Sequence, residues 1–501
     1  MKKIILYQPQ PCETPQYNFT PLSLLRASSI LAQKNYPVVI KSYFEKDREK
    51  RIFEEAKEAI CFGITAISGY QIYDGLKMAK LIRKNFPDLP IVWGGWHPTI
   101  LPEQTIKNEY VDIIVRGQGE MTFYELVKAL KNKEPLENVL GITFKKAQKI
   151  ISTPDRPIEP FENLPDTPYY LLENIKNHIF NSEFGPRSLN YTSSYGCPHN
   201  CSFCVQPAIY KGKWTGLPPE RVVKELKELV KNYGVNGIVV HEDNFFANPR
   251  RVKEIAGLII ENNLKINWGQ ADVRPDVIIK LDNETLRLLK QSGFKSVLIG
   301  AESGDDYRLG VLKKGFKTGD VLKAARILKE YDIWAVYSFM LGIPVPELKK
   351  ESPEKILKEE FNNFLNFVLK LHRINPKHFI LLYVFTPLPK TQVYFEAKEM
   401  GYRPPQSLEE WSEVTFRMQN VPWLPKKYSN FCEMFKFYLP LFGGYAQDKI
   451  KNRKNSLERF FLRASERVLR NLSHLRFKYH FFYFPVEYWI LNFIYKFYRL
   501  G

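Results

Sequence analysis

The stretch Tyr195-Gly196-Cys197-Pro198-His199-Asn200-Cys201-Ser202-Phe203-Cys204 decides how the rest of this chain is read. It holds three of the six cysteines in 501 residues. Three thiolates on one tight loop can hold three corners of a cubic iron–sulfur cluster. The CxxxCxxC spacing leaves the fourth iron without a protein ligand. An open iron is where a substrate or cosubstrate coordinates, so the loop reads as a reactive centre rather than an electron carrier. Gly196 lets the backbone turn before the first thiol, and Pro198 stiffens the loop after it. With His199 the same cysteines also form a Cys₃His zinc set, although structural zinc sites usually draw paired ligands from two segments. A disulfide fits less well. Cys12, Cys61 and Cys432 are scattered, and nothing points to an oxidising compartment.

Strands and helices alternate outward from the loop. Strands are expected over residues 189–193, 237–241, 266–273, 296–299, 333–341 and 378–384. Helices are expected over 219–233, 249–262, 281–292, 318–331 and 361–371. That makes about six βα units, too few for an eight-unit barrel, so a partial curved barrel is expected with its chemistry at the carboxyl ends of the strands. The cysteine loop follows the first of those strands. Glu302 and Ser303 end the apolar run SVLIGA, and a charged side chain there is costly without a partner.

A second alternating unit precedes the loop. Strands 3–7, 37–43, 59–64, 91–93 and 111–115 are interleaved with helices 22–33, 73–84, 104–108 and 121–131, the pattern of a Rossmann-like, doubly wound parallel sheet. Such sheets bind ligands beyond their carboxyl strand ends. The loops there carry Thr65 and Ser68, then Gly94, Gly95 and His97, then Gly117, Gly119 and Glu120. The expected division is a sheet unit over 1–145, a proline-rich linker over 146–188, the barrel over 189–400 and a helical, basic, aromatic region over 401–501. Within that last region a helix over 426–439 is expected to stop at Pro440 and Gly443-Gly444.

Two patterns carry a family resemblance. V-x-G-G-x-H-P-T followed by D-x-x-V-x-G-x-G-E resembles the cobalamin-binding domain of cobalamin-dependent radical SAM enzymes. CxxxCxxC, the Glu302-Ser303-Gly304 strand end, Lys314-Gly315 and the late Thr386-Pro387-Leu388-Pro389-Lys390-Thr391 resemble the radical SAM core over about 210 residues. The resemblance implies that Cys197, Cys201 and Cys204 hold a 4Fe-4S cluster whose fourth iron chelates S-adenosyl-L-methionine (SAM). It implies that Phe203 meets the adenine and that Glu302 and Ser303 meet the ribose or amino group. Arg274 would pair with the SAM carboxylate or form a structural salt bridge, and Asp243, with Asn244 beside it, would touch SAM or substrate. Thr65, Ser68, Gly94, Gly95, His97, Gly117, Gly119 and Glu120 would line a cobalamin site. The chain departs from many cobalamin domains in lacking DxHxxG, whose histidine binds cobalt from below; His97 is the sole histidine before residue 178. The implied reaction is one-electron cleavage of SAM, hydrogen abstraction by the 5′-deoxyadenosyl radical, and methyl transfer from cobalamin to an unactivated carbon. The electron would come from an external donor of flavodoxin or ferredoxin type. No general acid or base stands out: His199 reads as a hydrogen-bonder of the cysteine loop, and His241, Tyr337, His378 and Tyr383, near strand ends or inside the barrel, are candidates to line the substrate pocket, with core packing the default for each tyrosine.

Charge bears on the substrate. The formal net charge is +19 from 73 basic and 54 acidic residues, which favours a polyanionic partner. Residues 448–501 carry twelve Lys/Arg against four Asp/Glu, with Arg459, Arg463, Arg467 and Arg470 at helical spacing and an aromatic end from 477 to 498. Phe460, Phe461, Leu462, Val468, Leu469 and Leu472 form an apolar side. No run is long enough to span a bilayer. The segment suits either a membrane interface or a helical cap on the barrel. The first reading implies a lipid-like small molecule such as an isoprenoid, a hopanoid or a porphyrin. The N-terminus lacks the apolar length of a signal peptide, so the expectation is a cytoplasmic protein, peripheral on the inner membrane face if the tail docks there. The leading function is a C-methyltransferase. The alternatives are an oxidative, ring-forming radical cyclase, an RNA-modifying radical SAM enzyme, and a non-enzymatic cobalamin or redox sensor. Nucleic acid is disfavoured, because no second three-cysteine motif or appended RNA module is present.

Overall fold

The computed structural model describes residues 2–13, 15, 18–147, 149–414, 421–443, 456–482 and 484–490, with 456–462 described in backbone alone. The first sheet contains β1 (Lys3–Gln8), β2 (Val38–Ser42), β3 (Ala59–Thr65), β4 (Ile91–Gly94), β5 (Ile113–Val115), β6 (Ile142–Lys146) and β7 (Lys149–Ser152). Their order is β2-β1-β3-β4-β5-β6-β7. The first five pair in parallel and β6 and β7 are antiparallel. The β1 run Ile4-Ile5-Leu6-Tyr7 is buried on both faces, as a parallel strand between helical layers must be. β6 and β7 extend this sheet into the stretch expected as linker.

The second sheet contains β8 (Phe180–Ser182), β9 (Gly185–Tyr191), β12 (Gly237–Val240), β13 (Asn267–Val273), β14 (Phe294–Glu302), β15 (Trp334–Leu341) and β16 (His378–Val384). Between β9 and β12 a small hairpin forms from β10 (Ser194–Gly196) and β11 (Trp214–Gly216). The large sheet runs β16-β15-β14-β13-β12-β9-β8, with six parallel strands and an antiparallel edge at β8. This is the expected partial barrel. Along β13 to β16 one set of side chains is sealed against the helices. The alternate set, including Gln270, Asp272, Leu298, Ser338, Met340 and Tyr383, stays partly open on the inner face.

The helices that matter below are α1 (Tyr70–Asn85), α2 (Pro219–Tyr233), α3 (Pro353–Ile374), α4 (Gln392–Glu399), α5 (Leu408–Glu413), α6 (Lys426–Phe442) and α7 (Ser456–Tyr479). α2 opens on a proline at its first turn and closes on Gly234 in the left-handed region, the asymmetry its sequence announces. α6 does not stop at Pro440. Leu439, Leu441 and Phe442 are buried, and that burial carries the helix through a residue that costs an interior turn about 3 kcal/mol. α6 packs on β16, and α7 packs on α6. α5 returns to the first sheet: Trp411 is fully buried, its Nε1 donates to Gln104 Oε1 at 2.7 Å, and Gly69 N donates to Trp411 O at 3.1 Å. Lys496, Arg499 and the side chains of Arg459, Phe460, Phe461 and Leu462 lie outside the described residues.

Candidate functional site

β10 delivers the chain into the cysteine loop at Gly196. Its φ is +78°, and a Cβ there would sit 2.2 Å from Lys213 O, so only glycine fits. Three consecutive residues after β12 then organise the loop. Glu242 accepts from Ser193 N at 2.5 Å, from Ser193 Oγ at 2.7 Å, and from Ser194 Oγ. Asp243 accepts from Gly196 N at 2.9 Å and from Gln206 Nε2. Asn244 Nδ2 lies 3.5 Å from Cys197 Sγ. Two helix ends staple the middle of the loop: the last turn of the short helix Asp306–Val311 and the first turn of α4. Ser202 N donates to Leu312 O at 3.1 Å, Ser202 Oγ donates to Val311 O at 2.9 Å, and Val393 N donates to Ser202 O at 3.1 Å. The TPLPKT stretch therefore acts on the loop through α4, whose first turn Thr391 caps.

Burial pushes the Cys204 thiol up to about 12 and raises Cys201, with Lys314 and Arg274 opposing the rise at Cys201. A buried thiolate needs a compensating cation, and iron supplies one. Among the described residues no three His, Cys, Asp or Glu side chains converge on a single ion. A cubic cluster does not require that, because each thiolate takes a different iron. The donor set fits a cluster.

The SAM candidates surround this loop. β14 bulges against β15 between Gly300 and Glu302, and Glu302 takes a left-handed φ of +58°. A bulge re-aims a side chain, and here it brings Glu302 to Lys314 Nζ at 3.2 Å in a nearly closed setting. A Cβ at Gly300 would lie 2.4 Å from Glu302 Oε1 and would displace that carboxylate. Ser303 follows, with its N–H on Ala301 O at 2.7 Å. The Lys314 ammonium stands 5.6 Å from the Phe203 ring centre and 5.3 Å from that of Phe316. Arg274 spends Nε on Asp276 at 3.0 Å and stacks over Phe316 at 5.2 Å. That edge is the structural salt bridge, and its two terminal nitrogens meet no acceptor among the described residues. A zwitterionic cation fits here: carboxylates for its ammonium and a guanidinium edge for its carboxylate.

Asp243, expected at SAM or substrate, is bonded to the cysteine loop and also lines the cavity described next. Two other expectations shift. Tyr337 and His378 are buried in the outer layer; His378 packs with His372 and Phe442. His97 and Ser68 do not reach the cavity described next. They bond each other at 2.9 Å, and His97 turns its ring onto Trp411 at 5.5 Å. Burial lowers its pKa to about 3.

Asp272 is a residue that sequence reasoning alone does not single out. It sits on the inner face of β13 with no hydrogen-bond partner among the described residues. Burial holds its pKa well above the ordinary carboxylate range, reinforced by Asp243, Glu242 and Glu302 and opposed by Lys314. The signal for it is period-two polarity, Gln270, Asp272, Arg274, in a strand otherwise apolar or small.

A cavity of about 610 Å³ lies between the two sheets. The first sheet lines it with Thr65, Gly94, Gly95, Gly117, Gly119 and Glu120, and the barrel with Tyr195, His241, Glu242 and Asp243. Gly95 is fixed as glycine by φ +98° and a 2.6 Å approach to Ala66 O. At Gly117 a Cβ would meet nothing within 4 Å, and at Gly94 and Gly119 the nearest atoms lie at 3.8 Å. Bare backbone thus faces open space along one wall, the cradle a flat macrocycle needs. Glu120 is buried against Arg26 at 3.5 Å. The residues present fit a corrin at this wall.

The sequence profile of the Radical SAM superfamily matches residues 191–357, and that of the B12 binding domain matches residues 12–127. An uncharacterized methyltransferase of Pyrococcus horikoshii, PH0819, is 31% identical over 284 residues, 56% of this chain and 60% of that protein. The anaerobic magnesium-protoporphyrin IX monomethyl ester cyclase of Synechocystis is 26% identical over 413 residues, 80% of this chain and 78% of that protein. The radical S-adenosylmethionine methyltransferase TsrM of Kitasatospora setae, solved with cobalamin and a [4Fe-4S] cluster, shares the fold. It superposes with a TM-score of 0.62 at 16% identity, covering 79% of this chain and 75% of TsrM.

Proposed function

We propose, from the premise that this chain is a member of the radical SAM superfamily carrying a B12-binding domain, that it methylates an unactivated carbon of a hydrophobic small molecule. One observation carries the reading. A single cavity touches both the glycine-lined ends of the first sheet and, through Tyr195 and Asp243, the base of the cysteine loop, so the corrin wall and the loop face one shared space. When bound, the cluster supplies the electron that cleaves SAM and cobalamin carries the methyl group. The chain's own part is positioning. Glu242, Asp243 and Asn244 fix the loop that presents Cys197, Cys201 and Cys204. On this reading Glu302 and Ser303, Phe203, Arg274 and Asp272 hold SAM. The wall from Thr65 to Glu120 offers bare backbone to the corrin. On the inner face of the barrel Leu298, Met340 and Tyr383 offer apolar surface among Gln270, Asp272 and Ser338. An external flavodoxin- or ferredoxin-type donor supplies the electron, and a membrane-partitioned substrate would bring the protein to the membrane periphery.

The second reading is ring formation without methyl transfer. It is favoured by a relative matched over 80% of this chain, which is named as a cyclase of a porphyrin ester. Anaerobic reconstitution followed by SAM with an isotopically labelled methyl group separates the two. Labelled product from a lipid extract supports methylation. Product without label, alongside 5′-deoxyadenosine, supports cyclisation. Failure to cleave SAM with iron and corrin both bound sinks both readings.

A further inference from the structure

The helix α7 has two apolar faces, and one of them points to solvent. Ser473 and Phe477 are buried where α7 packs on α6. On the opposite side Val468, Leu472, Leu475 and Tyr479 are 60%, 37%, 51% and 65% exposed. At about 100° per residue they fall within one arc of about 60°. Beyond the end of α7, Phe484, Trp489 and Ile490 are also exposed, at 66%, 52% and 54%. Arg463, Arg467 and Lys478 are exposed, and at the same turn per residue they lie on one side of the helix, about 90° to 150° from the centre of the stripe. The two described carboxylates between 463 and 490 are turned away. Glu466 is buried 3.7 Å from Arg470, and Glu487 is held by Arg476 and by Tyr438 at 2.9 Å.

We propose that this face docks on an anionic lipid surface, with the stripe entering the headgroup–acyl boundary and Arg463, Arg467 and Lys478 meeting lipid phosphates. A helix that merely capped the barrel would need only its inner apolar face. An outer stripe with aromatic ends and a cationic flank is the composition of an interfacial helix. A second copy of the chain is the weaker occupant, because a two-fold contact sets equivalent patches against each other and crowds both cationic columns. No helix among the described residues is long and apolar enough to cross a membrane, so the contact is peripheral. The inference rests on surface geometry alone and is independent of what happens in the cavity.

The test is sedimentation of the full chain with phosphatidylcholine vesicles, with and without phosphatidylglycerol. The wild type is expected to bind tightly only when the anionic lipid is present, and to release as salt rises. Neutralising Arg463, Arg467 and Lys478 to Gln is expected to weaken binding about fivefold per residue, or roughly a hundredfold together. The pair Leu472→Glu and Leu475→Glu is expected to abolish it, with far-UV dichroism and SAM cleavage in vesicle-free buffer unchanged. Absence of wild-type binding, or binding that both variants retain, overturns the proposal. A dimer that the Leu→Glu pair dissociates, without vesicle binding, assigns the stripe to a second copy and also overturns it. A drop in thermal stability of that pair shows that the chain itself covers the stripe, and the proposal falls then too. Because SAM cleavage is read without vesicles, failure here and failure of the methylation reading are separable.

Discussion

Replacing Asp243 by Ala tests whether this carboxylate holds the cysteine loop or holds SAM. The side chain accepts from Gly196 N and from Gln206 Nε2, and both donors lie in partly buried surroundings. Leaving each donor unpaired costs about 1–3 kcal/mol. Part of that is returned. Burial and the neighbouring Glu242 push the Asp243 pKa up to about 6, so removing the group relieves a carboxylate that the site tolerates poorly. A net of about 3 kcal/mol on the ordered loop corresponds to roughly a hundredfold in its population. The assay is anaerobic titration of the protein with iron and sulfide, followed by visible absorbance and iron count. Asp243→Ala is expected to move the midpoint for cluster formation by roughly a hundredfold at unchanged far-UV dichroism. Asp243→Asn, which keeps an acceptor oxygen for Gly196 N, is expected to fall between it and the wild type. If Asp243→Ala fills with the wild-type midpoint while SAM affinity drops, the loop assignment is wrong and the residue belongs to the SAM site.

Gly196→Ala meets both a left-handed φ and a carbonyl at 2.2 Å, and is expected to yield folded protein that retains almost no iron after reconstitution. Glu360 on α3 accepts from Gly342 N at 2.7 Å, from Ile343 N at 3.2 Å, and pairs with Arg308 at 3.2 Å, all inside the core. Glu360→Ala is therefore expected to cost about 3–5 kcal/mol in urea unfolding, and a loss under about 1 kcal/mol would refute the clamp. His97 has its pKa lowered to about 3 by burial, against about 6.5 when unfolded. The unfolded chain then binds the proton first, so this residue's contribution is intact above about pH 6.5 and drains as the pH falls toward 3. Between pH 7.5 and 5.5 it should remove about 1.3 kcal/mol of stability, a slope that His97→Leu is expected to flatten by that amount.

Most of the frame was legible because the local signals are strong. The six parallel barrel strands fall within a few residues of their expected bounds, since each is an apolar run ending in turn residues. What escaped depends on partners distant in sequence. α3 begins at Pro353, eight residues before its expected start, because its charged first turns hide Glu360, a buried clamp that reads as a surface residue until Arg308 is placed beside it. α5 is not among the helices expected from sequence, because Trp411 is organised by Gln104 and His97, some 300 positions earlier. The bonds of Asp243 to Gly196 N and Gln206 Nε2 were hidden for the same reason. A carboxylate at a strand end is ambiguous until the donors facing it are known. The three cysteines needed no such help, because their spacing alone carries the chemistry.

The staples on Ser202 join residues that are far apart along the chain. Leu312 lies 110 positions downstream and Val393 a further 81. During synthesis from the N-terminus the three thiols therefore emerge long before the segments that lock their loop. A cluster inserted early would sit on an unfixed loop, whereas one inserted after α4 has docked would find its ligands already arranged. Cofactor assembly in this chain is thus tied to completion of the barrel, and a polypeptide interrupted before residue 393 would carry the whole cysteine motif and still lack one of the bolts that make it a site.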